Sequence, residues 1–190
     1  PDNRALAHHM ALYLISPAQA DQVRMLDTTG SGYTCFGGPG KNISGGLLLG
    51  WAPGGTSMRA PADTAFRIPK GALLVMQMHY NTAAAPNAAE RVDQTSLELA
   101  LADSVKRKAF IMPWADPRWL RDHKMTIPAG SPDTTHSFSF DPTGFLNTIS
   151  GGVLQNNAAV RVHAAGFHQH MLGTGGRLEL NKAENFLTEG

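Results

Sequence analysis

Glycine and proline punctuate this chain so often that long helices are disfavoured over most of it. There are 20 glycines and 12 prolines in 190 residues, and they are scattered along the whole length. Such punctuation favours many short strands joined by turns. Apolar residues make up 42% of the chain, enough to build a core without disulfides. Cys35 is the sole cysteine, so no intrachain disulfide can form. The formal net charge is +1, and no Lys/Arg cluster is long enough to track a phosphate backbone, which argues against nucleic acid as a partner. No apolar run approaches the ~18 residues of a membrane span. The chain starts at Pro1 with no charged-then-apolar leader, so a preceding segment is expected to be missing.

Histidine placement is the next constraint. Phe167-His168-Gln169-His170-Met171-Leu172-Gly173 sets two imidazoles at i and i+2. On a strand these leave the same face and can converge on one ion; on a helix they would splay. Two surface histidines on an edge strand would give the same spacing. His8-His9-Met10-Ala11-Leu12-Tyr13-Leu14-Ile15 reads as a buried strand ended by Ser16-Pro17. Adjacent histidines on a regular strand point to opposite faces, so both reach one ion only if the backbone twists or different ring nitrogens are used. Leu47 to Trp51 reads as a short apolar strand. Ile68-Pro69-Lys70-Gly71 is a turn into a strand from Ala72 to Tyr80, with Gln77 and His79 on one face and Met76, Met78 and Tyr80 on the other. Residues 16–45 read as loop-rich: the Gly-rich stretch lacks the ending of a phosphate loop and opens no helix. Cys35 reads as an unactivated thiol. Thr95 to Leu101 and His136 to Phe140 alternate as strands do. Ile127-Pro128-Ala129-Gly130, Ser150-Gly151-Gly152 and Asn156-Asn157 read as turns. Asp103 to Lys108 is the densest charged stretch, and a domain boundary is placed near it, at residue 104.

Of the eight histidines, five (His8, His9, His79, His168 and His170) sit in or beside apolar strands, in three groups without a carboxylate. Imidazole on a β framework suits zinc, copper, iron or nickel; magnesium and calcium fall away. Neither HExxH nor GxSxG is present. His123 and His136 are expected to lie outside the sites; His163 reads as a structural histidine, with a role as an alternative ligand or as a partner to a ligand left open.

The ordered pieces His8-His9-Met10, Gly50-Trp51-Ala52, Gln77-Met78-His79-Tyr80, Ile127-Pro128-Ala129-Gly130 and His168-Gln169-His170-Met171-Leu172-Gly173 resemble the copper type II, ascorbate-dependent monooxygenases. That family includes peptidylglycine α-hydroxylating and dopamine β-monooxygenases. The resemblance implies an all-β fold of two antiparallel, jelly-roll-like β-sandwich domains, here 1–104 and 105–190, the second incomplete. It implies two copper sites. His8, His9 and His79 would hold the electron-transfer copper; His168 and His170, with a Met expected beyond residue 190, would hold the copper where O2 and a small-molecule substrate react. The implied reaction is hydroxylation of a substrate C–H, with ascorbate or a similar one-electron donor, in an extracytoplasmic compartment. This fragment alone is expected to be inactive. Gln77 and Tyr80 are candidates for orienting the histidines, with ordinary strand packing the other reading of both. Gly166 stands where the peptide-hydroxylating branch has arginine, so a peptide with a C-terminal glycine is not the expected substrate. Two other readings stay open: a non-catalytic copper-binding protein, and a three-histidine zinc hydrolase.

Overall fold

The computed structural model describes the chain apart from residues 86, 88, 90, 113, 151, 168–172 and 180–190. The backbone divides into two compact units, Pro1–Ala158 and Ala159–Gly190, and residue 104 lies within the first. Among its described residues the second unit carries no helix and no strand ladder.

The first unit is built on three strands: β1 (Ala7–Ile15), β2 (Gly45–Trp51) and a longer strand over Leu73–Tyr80. A three-residue strand, β3 (Thr64–Phe66), precedes the last of these, which is therefore β4. The sheet is antiparallel, ordered β2-β1-β4, with β1 in the centre. The strands expected from the apolar runs at residues 8–15, 47–51 and 72–80 are all present. β1 stops where expected, because Pro17 cannot donate to a ladder; Ser16 stays extended and Pro17 opens a short 3-10 turn.

One face of this sheet is the core. Met10, Leu12 and Leu48 are buried, and Leu14, Leu49, Trp51, Phe66, Leu74, Met78 and Leu97 pack against them. The alternation of Met10, Leu12 and Leu14 on β1 meets Met78, Met76 and Leu74 directly across on β4. Burying a side chain as completely as Leu12 contributes about 1.5–3 kcal/mol. The opposite face carries His9, Ala11 and Tyr13 against His79, Gln77 and Val75.

Strands outweigh helices, as the glycine and proline pattern predicts, and what helices there are stay short: α1 (Ala20–Leu26), α2 (Pro117–Arg121) and α3 (Leu146–Ile149). α1 adds a helix within residues 16–45, which read as loop-rich. It buries Ala20 and Val23, one turn apart, and Arg24 bonds back to Asp21 at 2.7 Å. β3 pairs with β5 (Arg107–Ala109) in parallel, a departure from an entirely antiparallel chain, and it places the charged stretch beside Thr64–Phe66. Thr95 to Leu101 and His136 to Phe140 form no ladder. Their alternation serves packing instead. Leu97 covers the core, and Phe138 and Phe140 join Trp119 and Trp114 at ring separations of 5.0 and 5.6 Å. The turns at 68–71, 127–130 and 156–157 are present, with Gly71, Gly130 and Asn157 at positive φ.

Candidate metal centre

The centre is made by an irregularity in the β1–β4 ladder. Ala7 lies opposite Tyr80 and His9 lies opposite His79. Two steps along β1 therefore match one step along β4, and His8 is the extra residue of a β-bulge. Bulges disrupt pairing locally and re-aim a side chain. Here the result is that His8 and His9, although adjacent, both approach His79. This resolves the geometric objection to a His-His pair on a regular strand.

The three rings are in mutual contact. Ring centroids are 5.2 Å apart for His8–His9, 5.2 Å for His8–His79 and 4.6 Å for His9–His79. Every pair meets edge-on, with interplanar angles of 62°, 69° and 89°. The Nδ1 atoms of His8 and His9 are 3.0 Å apart. One ligand nitrogen can be chosen from each ring so that all three lie within 4.8 Å of one another. An ion bound at about 2.0–2.1 Å from each imidazole nitrogen would hold them about 3.3–3.6 Å apart. Small side-chain rotations reach that spacing, so the residues fit a three-imidazole ion. His8 is exposed, while His9 and His79 are half-buried. One side of a bound ion would thus face solvent. The donor set contains no carboxylate or thiolate, which matches copper or zinc chemistry and not that of magnesium or calcium.

The end of the ladder that carries the bulge is tied down by Asp93. Its carboxylate accepts from the Asn3 backbone N–H at 2.9 Å, from the Tyr80 hydroxyl at 3.0 Å and from the Thr95 hydroxyl at 2.6 Å. Desolvation works against the charged form, but the hydrogen bonds from Thr95, Asn3 and Tyr80 outweigh it and hold the carboxyl below its ordinary range. Tyr80 is pushed up by burial, and by its bond to Asp93.

The hydrogen bonds of Gln77 and Tyr80 go to Gly38, Cys35 and Asp93. Tyr80 serves Asp93. Gln77 is 9% exposed, and its Nε2 donates to the Gly38 carbonyl at 2.9 Å and to Cys35 Sγ at 3.3 Å. A buried amide must find partners, and here it finds them in the Gly-rich segment, which is thereby pinned over the polar face of the sheet. The same segment delivers Phe36, whose ring meets that of His79 at 6.0 Å and 87°. Sequence reasoning treated this segment as a bare connection. The signal that could have flagged it was Gln77 itself, a polar residue in an apolar strand.

His168 and His170, expected to form a second copper pair, lie outside the described residues. His163 is exposed in the second unit. His123 sits at φ 50° in an exposed turn. His136 packs against Trp119, with a buried Nε2 that has no hydrogen-bond partner among the described residues. None of the three belongs to the cluster of His8, His9 and His79. No helix among the described residues is long and apolar enough to cross a membrane. Comparison of the chain with protein-family models, with curated proteins and with solved structures returns no match.

Proposed function

We propose that His8, His9 and His79 are the electron-transfer copper site of a copper-dependent monooxygenase. The enzyme would hydroxylate a C–H bond of a small-molecule substrate with O2 and a one-electron donor such as ascorbate. In this reading His168 and His170 contribute the second copper site, residues 1–104 and 105–190 belong to two jelly-roll-like β-sandwich domains, and the protein works outside the cytoplasm. The observation that carries the reading is the bulge at His8, which spends a ladder position to bring a third imidazole onto a pair already opposed across two strands.

Copper held there would alternate between Cu(I) and Cu(II) and so handle one electron at a time. His9 and His79 face each other across β1 and β4 and fix two donor directions on a rigid backbone. His8, exposed on the bulge, supplies the third donor and leaves the solvent side open. Imidazole donors without carboxylates tolerate the reduced ion as well as the oxidised one. Asp93 holds Tyr80, and through it the register of the strand end on which the rings depend.

Copper loading followed by metal analysis and electron paramagnetic resonance tests this. In the full-length protein the expected result is two coppers with type II spectra, one lost in His79→Ala and the other in the double variant His168→Ala/His170→Ala. Preferential uptake of zinc over copper, with no paramagnetic signal, would overturn the proposal in favour of the zinc hydrolase reading.

A further inference from the structure

Residues 33–39 form a small loop that is closed at its base. The Tyr33 hydroxyl donates to the Pro39 carbonyl, and Pro39 is buried. Gly40 follows at φ 146°, where an added Cβ would lie 3.0 Å from Leu26 Cδ1 and 3.2 Å from Ile43 Cγ1. The base is therefore held by packing on several sides. The tip is freer. Gly37, at φ 71°, and Gly38 have nothing within 4 Å of the position a Cβ would take. Glycine gives the backbone its widest choice of conformation there. A groove of about 760 Å³ runs along the tip and leaves it space to move.

Gln77 anchors this tip to the sheet, through its bonds to Gly38 and Cys35 on either side of Phe36 and Gly37. Gln77 lies two residues from His79 on the same face of β4, and alternate residues on a strand are about 6.6–6.8 Å apart. The anchor thus suspends Phe36 beside the metal centre, with its ring edge-on to that of His79. Yet Phe36 is 89% exposed. An aromatic ring left in water gains from any position that covers its apolar surface. The exposed His8 ring belongs to the same trio, with its centroid 5.2 Å from that of His79.

We propose that the loop of residues 33–39 is a strap that closes over the centre, carrying Phe36 from solvent onto an ion held by His8, His9 and His79. The proposal rests on the three imidazoles holding an ion, as the copper reading does. An ion adds positive charge to the cluster, and the face of an aromatic ring attracts a cation. Closure also removes the apolar surface of the ring from water. The first gain exists only once the ion is there, so ion binding draws the strap shut. The movement needs rotation of the Phe36 side chain and of the Gly37 backbone, while Gln77 keeps the tip over the sheet. The closed ring covers the side of the ion that His8 leaves open, and it slows the ion's escape.

The test uses the full chain with zinc as a diamagnetic probe. On zinc binding, nuclear Overhauser contacts between the Phe36 and His8 rings are expected to appear, and the Gly37 and Gly38 amides should exchange more slowly with solvent. Zinc release to excess chelator should be roughly two- to fivefold faster in Phe36→Ala, the loss of one exposed ring–cation contact. Phe36→Tyr keeps the ring and should match wild type. Phe36 is exposed, so neither change disturbs the fold. No Phe36–His8 contact in the zinc form, or equal release from wild type and Phe36→Ala, overturns the proposal. The two readings fail separately. An ion bound with Phe36 unmoved removes the strap alone. Zinc bound in preference to copper, with Phe36 closing over it, removes the copper reading alone. Uptake of neither ion removes both.

Discussion

Two bulges interrupt the same sheet, and they are put to opposite uses. At one end of β1, His8 is the additional residue against β4, and it brings two neighbouring imidazoles onto the polar face beside His79. On β2, Leu12 pairs with Leu49 and Tyr13 with Leu47, so Leu48 is the additional residue there. Leu48 and Leu49 are neighbours in sequence, yet both contribute to the core beneath β1. In each case an inserted residue lets consecutive side chains serve one face, which a regular strand forbids. The Leu48 bulge thickens an apolar layer. The His8 bulge concentrates lone pairs on a surface. One device thus yields stability in one place and a ligand cluster in the other, and what differs is the residue type inserted.

Substitutions at the two bulges should therefore have separable effects. Leu48→Ala removes a buried side chain and is expected to cost about 2–4 kcal/mol of unfolding free energy, measured by urea titration, with copper uptake intact. His8→Ala, at an exposed position, should change stability by no more than about 0.5 kcal/mol while weakening copper binding. If both changes lowered stability alike, the contrast would be broken. His79→Ala asks the sharper question, since His79 is the partner that both β1 histidines approach. Loss of an outer-shell partner already costs about 10–100-fold in metal affinity, so removal of this ring should cost at least about a hundredfold. An affinity within a few-fold of wild type would show that the rings do not share an ion.

The smallest expected effect is at Asp93. Its carboxyl is held below its unfolded value, so its contribution is present above the unfolded pKa of about 3.9 and disappears as pH falls through the folded value. Asp93→Asn should lower stability at neutral pH by about 1 kcal/mol or less, given solvent screening. It should also flatten the acid limb of the stability profile. Because Asp93 secures the His8 end of the ladder, metal affinity should fall modestly too, and packing around Leu48 should not respond. An unchanged acid limb would show that the three hydrogen bonds do not stabilise the charged form.

Much of this was legible in the residues, for identifiable reasons. β1, β2 and β4 are apolar runs bounded by Pro17, Trp51-Ala52-Pro53 and Pro69-Lys70-Gly71, and local pattern suffices for such elements. The grouping of His8, His9 and His79 came from the ordered family resemblance and not from their local pattern. How adjacent histidines reach one point was not legible, because a bulge depends on register against a distant strand. α1 escaped notice because only Ala20 and Val23 commit it to the interior, while Met25 and Leu26 are exposed. The alternation at Thr95–Leu101 and His136–Phe140 predicted ladders that do not form. Period-2 apolarity reports which side is buried, and it does not report whether a neighbouring strand is there to pair with. The partners of Gln77 were not legible for a related reason: Gly38 and Cys35 lie some forty residues earlier and meet it only after the Gly-rich segment folds back.

The imidazoles of the centre come from two strands separated by most of seventy residues, yet the ladder sets them side by side. An unfolded chain offers no such trio, so a cation that prefers it binds the native form alone. By mass action, a ligand at a hundred times its dissociation constant adds about 2.7 kcal/mol to the native state. An ion held there would therefore also clasp that end of the sheet. Scarcity of metal would loosen the very strand end that selects it, coupling the protein's persistence to its supply.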